Sequence, residues 1–109
     1  MATTFKNKVI KEVGISPIIA IETNAATRST IVSISLANIT SGIIYASIMV
    51  KSDDSVVGYF LKDVLIPPGS SLRALSAGEK LILAPDNQLL LIADQDAGYD
   101  AIISYVDIV

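Results

Sequence analysis

The chain has 109 residues, of which 51% are hydrophobic but only 6% aromatic and 17% charged, and its net charge is -3. That length makes one domain around one core, and an acidic balance with a sequence pI near 4.6 lacks the basic footprint of a protein that grips nucleic acid. With no cysteine or histidine, disulfides, thiolate metal sites and the commonest zinc ligand and general base are all excluded.

Phe5 to Val13 mixes charge with Val and Ile and predicts an edge strand behind a short N-terminal arm, with Lys6, Lys8 and Lys11 as edge protection. The amino end has lysines but no apolar run of signal-peptide length before Glu12, so no Sec-type export signal is expected. A protein of this kind would leave a cell by lysis or on a particle. Gly14 and Pro17 punctuate, and Ile18 to Ile21 follows as a short strand that Pro17 can only precede. Thr23 to Ser29 reads as a polar turn.

Thr30 to Asn38 alternates with a period of two, which predicts Val32, Ile34 and Leu36 on the core face with Ser33 and Ser35 opposite. Asn38 to Gly42 has the length of a hairpin connection between antiparallel neighbours. The next strand, Ile43 to Lys51, is too short for a membrane-spanning helix of roughly 20 apolar residues. It sends Ile44, Ala46, Ile48 and Val50 one way and Ile43, Tyr45, Ser47 and Met49 the other, so both of its faces are largely apolar.

Ser52 to Ser55 is a polar turn, and Val56 to Ile66 resumes extended structure with Gly58 as an expected bulge. Pro67-Pro68-Gly69, Ser76-Ala77-Gly78 and Pro85-Asp86-Asn87 each turn the chain between short runs of Leu and Ile. After the turn Ala93 to Gly98, Tyr99 to Val109 sets Ala101, Ile103 and Tyr105 against Ile102, Ser104 and Val106. No window of 11 or more residues carries a helical apolar period. Eight or nine short strands therefore predict an all-β domain over residues 1–109, a single antiparallel β-sandwich with jelly-roll or immunoglobulin-like connectivity.

The chemistry of catalysis is thin. Serines have no histidine to activate them, and Glu12, Glu22 and Glu79 are the only glutamates available for an acid pair. Asp94, Asp96 and Asp100 around Gly98 resemble a calcium loop, but position twelve would be Tyr105 and no helices flank it. A solvated turn whose carboxylates cap their own backbone is the simpler reading. No enzyme, metal or cofactor is expected. The distinctive feature is the second apolar face of the Ile43 to Lys51 strand, in a chain of mean hydropathy +0.58. Ile43, Tyr45 and Met49 form a contact surface for another subunit, or else another segment such as the N-terminal strand covers them.

The pieces KNKVIKEVG, IVSISLANIT, VLIPPGSSLRAL, GEKLILAPDNQLLLIA and AIISYVDIV run from about Phe5 to Val109. Together they resemble a group of small structural proteins of tailed bacteriophages. The resemblance implies a β-sandwich that serves as an accessory part of the virion at the capsid surface, neck or tail, partnered by other virion proteins. It also implies a homo-oligomer, a trimer or ring, with no catalytic residue and no nucleic-acid or membrane partner. The expected function is therefore to stabilise the capsid, as a decoration or cement protein, or the neck or tail. The competing function is a receptor- or carbohydrate-binding module built on the loops Thr23 to Ser29, Ser52 to Ser55 and Asp94 to Gly98.

Overall fold

The computed structural model describes residues 2–75 and 78–109, which form strands and turns with no helix. In chain order the strands are β1 (Thr3–Val13), β2 (Ile18–Glu22), β3 (Arg28–Asn38), β4 (Ile44–Lys51), β5 (Val57–Ile66), β6 (Ser71–Arg73), β7 (Leu81–Leu83), β8 (Gln88–Ala93) and β9 (Tyr99–Ile108). One sheet has the order β1-β9-β3-β6, with β7 also on β3, and the other has the order β2-β8-β4-β5. All pairings are antiparallel.

β7 pairs with Ser29 to Ile31 and β6 with Ser35 to Ala37, so these two short strands are halves of one position along β3. Each sheet then has four positions, and every connection except β4 to β5 and β6 to β7 crosses between sheets. That is a jelly roll; an immunoglobulin sandwich divides its strands four and three. Of the three turns expected between the short Leu and Ile runs, Ser76 and Ala77 lie outside the described residues, while Gly78 takes φ 85.

The core is almost wholly aliphatic. Ile31, Ile34 and Leu36 of β3 and Ala101 and Ile103 of β9 face Ile44, Ala46 and Ile48 of β4 and Leu89 and Leu91 of β8. Each fully buried Leu or Ile contributes about 1.5–3 kcal/mol. Tyr99 is the one fully buried aromatic among the described residues, and its hydroxyl donates to the Ile92 carbonyl at 3.1 Å.

Three local expectations are corrected. Val32 is not in the core: the β3 to β9 register shifts between Ile31 and Ser33, so Ile31 is buried and Val32 is turned outward at 41% exposure. The bulge swallows one residue and resets the alternation. In β5 the irregularities fall opposite Ala46 to Met49, whereas Gly58 pairs regularly with Val50. Asp63 takes φ 50 there, and its N–H donates to the buried Ser47 hydroxyl at 2.9 Å.

The third correction concerns Asn38 to Gly42, which is no hairpin: β3 and β4 belong to different sheets. Asn38 anchors the crossover. Its side-chain nitrogen donates to the Gly42 carbonyl at 2.8 Å and the Ile66 carbonyl at 2.9 Å, and its Oδ1 accepts from the Thr40 N–H and hydroxyl, both at 2.8 Å. A buried amide here replaces the ladder bonds that the backbone gives up on leaving the sheet.

At the other end of β3, Ser29 and Lys6 tie three strands together. The Ser29 hydroxyl donates to Asp107 Oδ1, and Lys6 Nζ lies 2.9 Å from Asp107 Oδ2. Burial works against ionisation of Asp107, but the hydrogen bonds from Ser29 and Lys6 and the lysine charge outweigh it and hold the carboxyl below its ordinary value. The termini close alongside, with Ala2 and Val109 exchanging backbone hydrogen bonds of 3.2 and 3.0 Å.

Asn38→Ala strands several buried polar groups and should cost about 2–4 kcal/mol in urea unfolding; an effect below about 0.5 kcal/mol would remove Asn38 as the anchor. Because the folded Asp107 value lies below the unfolded one, its contribution is complete above about pH 4 and drains away as pH falls through the folded value. Asp107→Asn should therefore be less stable than the wild type at pH 7, with the gap narrowing below about pH 4. A gap that stays constant from neutral to strongly acidic pH would contradict this assignment.

Candidate assembly surface

β4 lies between β8 and β5, so whatever it turns away from the core lies in the middle of an outer sheet face. Met49 pairs with Leu90 on one side and Tyr59 on the other, and Leu90 pairs in turn with Ile19. The row Ile19, Leu90, Met49, Tyr59 thus crosses all four strands. Next to it Ser47 pairs with Ile92, and beyond that Tyr45 pairs with Leu65. Ile43 stands just before the strand.

This face is apolar at its centre and open to water. Tyr45 is 41% exposed, Leu65 46%, Ile19 48%, Ile43 53% and Tyr59 58%. Polar groups collect at its ends. Lys51, Gln88 and Glu22 form the next row, with the Gln88 amide donating to the Glu22 carboxylate, and Asp94 Oδ1 accepts from the Tyr45 N–H at 3.0 Å. Lys62 Nζ stands 5.4 Å from the centre of the Tyr59 ring. An apolar middle with a polar border is the anatomy of a protein contact.

The structure brings Ile43, Tyr45 and Met49 to this one face but gives them different roles. Tyr45 and Ile43 are available to a partner, whereas Met49 is only 9% exposed, flanked across the strands by Leu90 and Tyr59. Ile19, Tyr59 and Leu65 belong to the same surface and escape sequence reasoning, because only the register of β2, β8, β4 and β5 reveals them as neighbours. The N-terminal strand does not cover this face: β1 pairs with β9 in the opposite sheet.

The remaining candidates are separated or spent. Glu22, Gln88 and Lys51 lie level with one another, which puts the loops after β2 and β4 at one end of the sandwich. The loop Asp94 to Gly98 follows β8 at the other end. The three loops named for a binding module do not form one site. Asp100 Oδ1 accepts from the Glu12 N–H at 2.8 Å and Asp94 from Tyr45, so these carboxylates cap backbone. Among the described residues no group of three or more acidic side chains is placed to hold a metal ion.

Lys6 and Lys8 turn toward the opening between β1 and β2, which Tyr105, Asp107 and the β2 edge from Ile19 to Glu22 also line. Charges that point inward along an edge strand discourage unwanted pairing on that side.

No protein-family model matches this chain, and no curated protein matches it by sequence. Among solved structures, a chain of the Bacillus endospore appendages, described as a novel family of disulfide-linked pili, superposes with a TM-score of 0.55 at 11% identity, covering 96% of this chain and 86% of that one. A chain of the T13 IBDV viral particle superposes with a TM-score of 0.54 at 7% identity, covering 96% of this chain and 30% of that one, so this chain spans under a third of the viral protein's length. At such identities the likeness establishes the jelly-roll fold alone.

Proposed function

We propose that this chain is a non-enzymatic structural subunit of a bacteriophage particle, stabilising the capsid as a decoration or cement protein, or the neck or tail, through contacts between subunits. The observation that carries this reading is the outer face of β2-β8-β4-β5, where a four-residue apolar row spans the sheet and Tyr45, Leu65 and Tyr59 remain 41–58% exposed. Large contiguous apolar patches mark contact sites. The resemblance to small phage structural proteins gives the reading its setting, and the appearance of this fold in a pilus and a viral particle is in keeping with it.

The mechanism is adhesion. Tyrosine supplies a large, stiff contact with a polar tip, and burial of such anchors holds the subunits while a polar border keeps water out. With no cysteine in the chain, the contacts use no disulfide.

Tyr45 is the clean probe. Met49 is buried, so a charge there would damage the fold as well as the contact. Tyr45→Lys should weaken self-association at least thirtyfold, about 2 kcal/mol, in sedimentation velocity, while the far-ultraviolet strand signature stays unchanged. Undiminished association of Tyr45→Lys would contradict the reading. Detection of the chain by mass spectrometry in purified particles tests its setting.

A further inference from the structure

Among the described residues the most exposed large hydrophobic side chains are Phe5, at 83%, and Ile82, at 64%. They lie on opposite edges of the same sheet, Phe5 on β1 and Ile82 on β7. The register also puts them in a single cross-strand row: Phe5 pairs with Val106, Val106 with Thr30, and Thr30 with Ile82. The other sheet repeats the arrangement, with exposed Ile19 and Tyr59 at the two ends of its row. β1 and β2 border the same cleft, so the row ends Phe5 and Ile19 share one flank of the sandwich, and Ile82 and Tyr59 share the opposite flank.

Strand direction alternates through four positions in each sheet, so a second copy in the same orientation would present β7 antiparallel to β1 and continue the ladder. The edges differ in how they are guarded. β2 has five residues and follows Pro17, and β5 carries two register breaks and Asp63 at φ 50. β1 breaks register with β9 only between Ile10 and Val13, where Glu12 takes φ 56; from Thr3 to Ile10 its ladder is unbroken and guarded by lysines.

Those lysines choose the partner. A two-fold pair of β1 strands would bring Lys6 and Lys8 of one copy against the same two of another, with Asp107 offsetting only Lys6, whereas β7 is Leu-Ile-Leu and carries no charge. A molecule measuring 45 × 27 × 21 Å has flanks of the same order as the about 800 Å² that each partner buries in a standard interface.

We propose that copies of this chain join head to tail, β1 of one pairing with β7 of the next so that Phe5 packs beside Ile82. The proposal rests on the reading of the chain as a structural subunit and names its partner as a second copy of itself. Such a contact joins two different patches and therefore propagates, into a ring or an open fibre, where a two-fold contact stops at a dimer.

The test uses the full chain in sedimentation velocity over a concentration series. The wild type should grow past dimer. Phe5→Lys and Ile82→Glu, both at exposed positions, should each weaken growth at least about tenfold without changing circular dichroism. The double variant Phe5→Lys, Ile82→Glu should recover a measurable part of that loss, because the new charges meet only across copies. Single variants that assemble like the wild type would overturn the edge pairing, as would a double variant no better than the worse single one. If those edge variants assemble normally while Tyr45→Lys does not, the edge pairing fails and the structural-subunit reading survives. A wild type that stays monomeric at every concentration ends both.

Discussion

The constraint on which this structure depends is an imbalance between apolar sheet faces and the cover available for them. In a two-layer sandwich each sheet hides one face against the other, and strand periodicity assigns alternate residues to the two sides. β3 and β9 respect that economy in part, with Ser33, Ser35 and Ser104 on the water side. β4 and β8 do not. Behind Ile44, Ala46, Ile48, Leu89 and Leu91 in the core stand Tyr45, Met49, Leu90 and Ile92 on the outside. A chain with four strand positions per sheet has no third layer to put over them.

Polar side chains in this fold are placed to hold the sheets in the geometry that creates this surface. Asn38 satisfies the carbonyls at the crossover from β3 to β4, and so sets where β4 enters its sheet. Ser47 sits in the middle of the outer face but is turned to use on Asp63, where its hydroxyl holds the bulge of β5. That bulge decides which residues of β5 come level with Met49 and Tyr45, namely Tyr59 and Leu65. Among the described residues no buried side-chain polar atom lacks a partner, which leaves the apolar outer surface as the unsatisfied feature of the chain.

Much of this was legible in the residues, and the limits have physical causes. Alternation and turn residues located the strands, and the double apolar character of Ile43 to Lys51 singled out Tyr45. Val32 was misplaced because a bulge shifts the period by one residue without any mark in composition. Asn38 to Gly42 reads equally well as a hairpin or a crossover, since both need a short polar turn, and only the distant acceptor at Ile66 distinguishes them. The rows that join Ile19 to Tyr59 and Phe5 to Ile82 depend on register between strands far apart in sequence, a property that no single segment carries.

If this surface is a contact, the outer tyrosines are covered when the protein is at work. Hydroxyl-radical footprinting of concentrated and dilute protein reads this directly, with buried Tyr99 as the internal reference for full protection. Tyr45 and Tyr59 should be oxidised freely in dilute protein and fall toward the low level of Tyr99 on assembly. Equal oxidation of Tyr45 and Tyr59 at both concentrations, with large assemblies present at the higher one, would show that the subunits meet elsewhere.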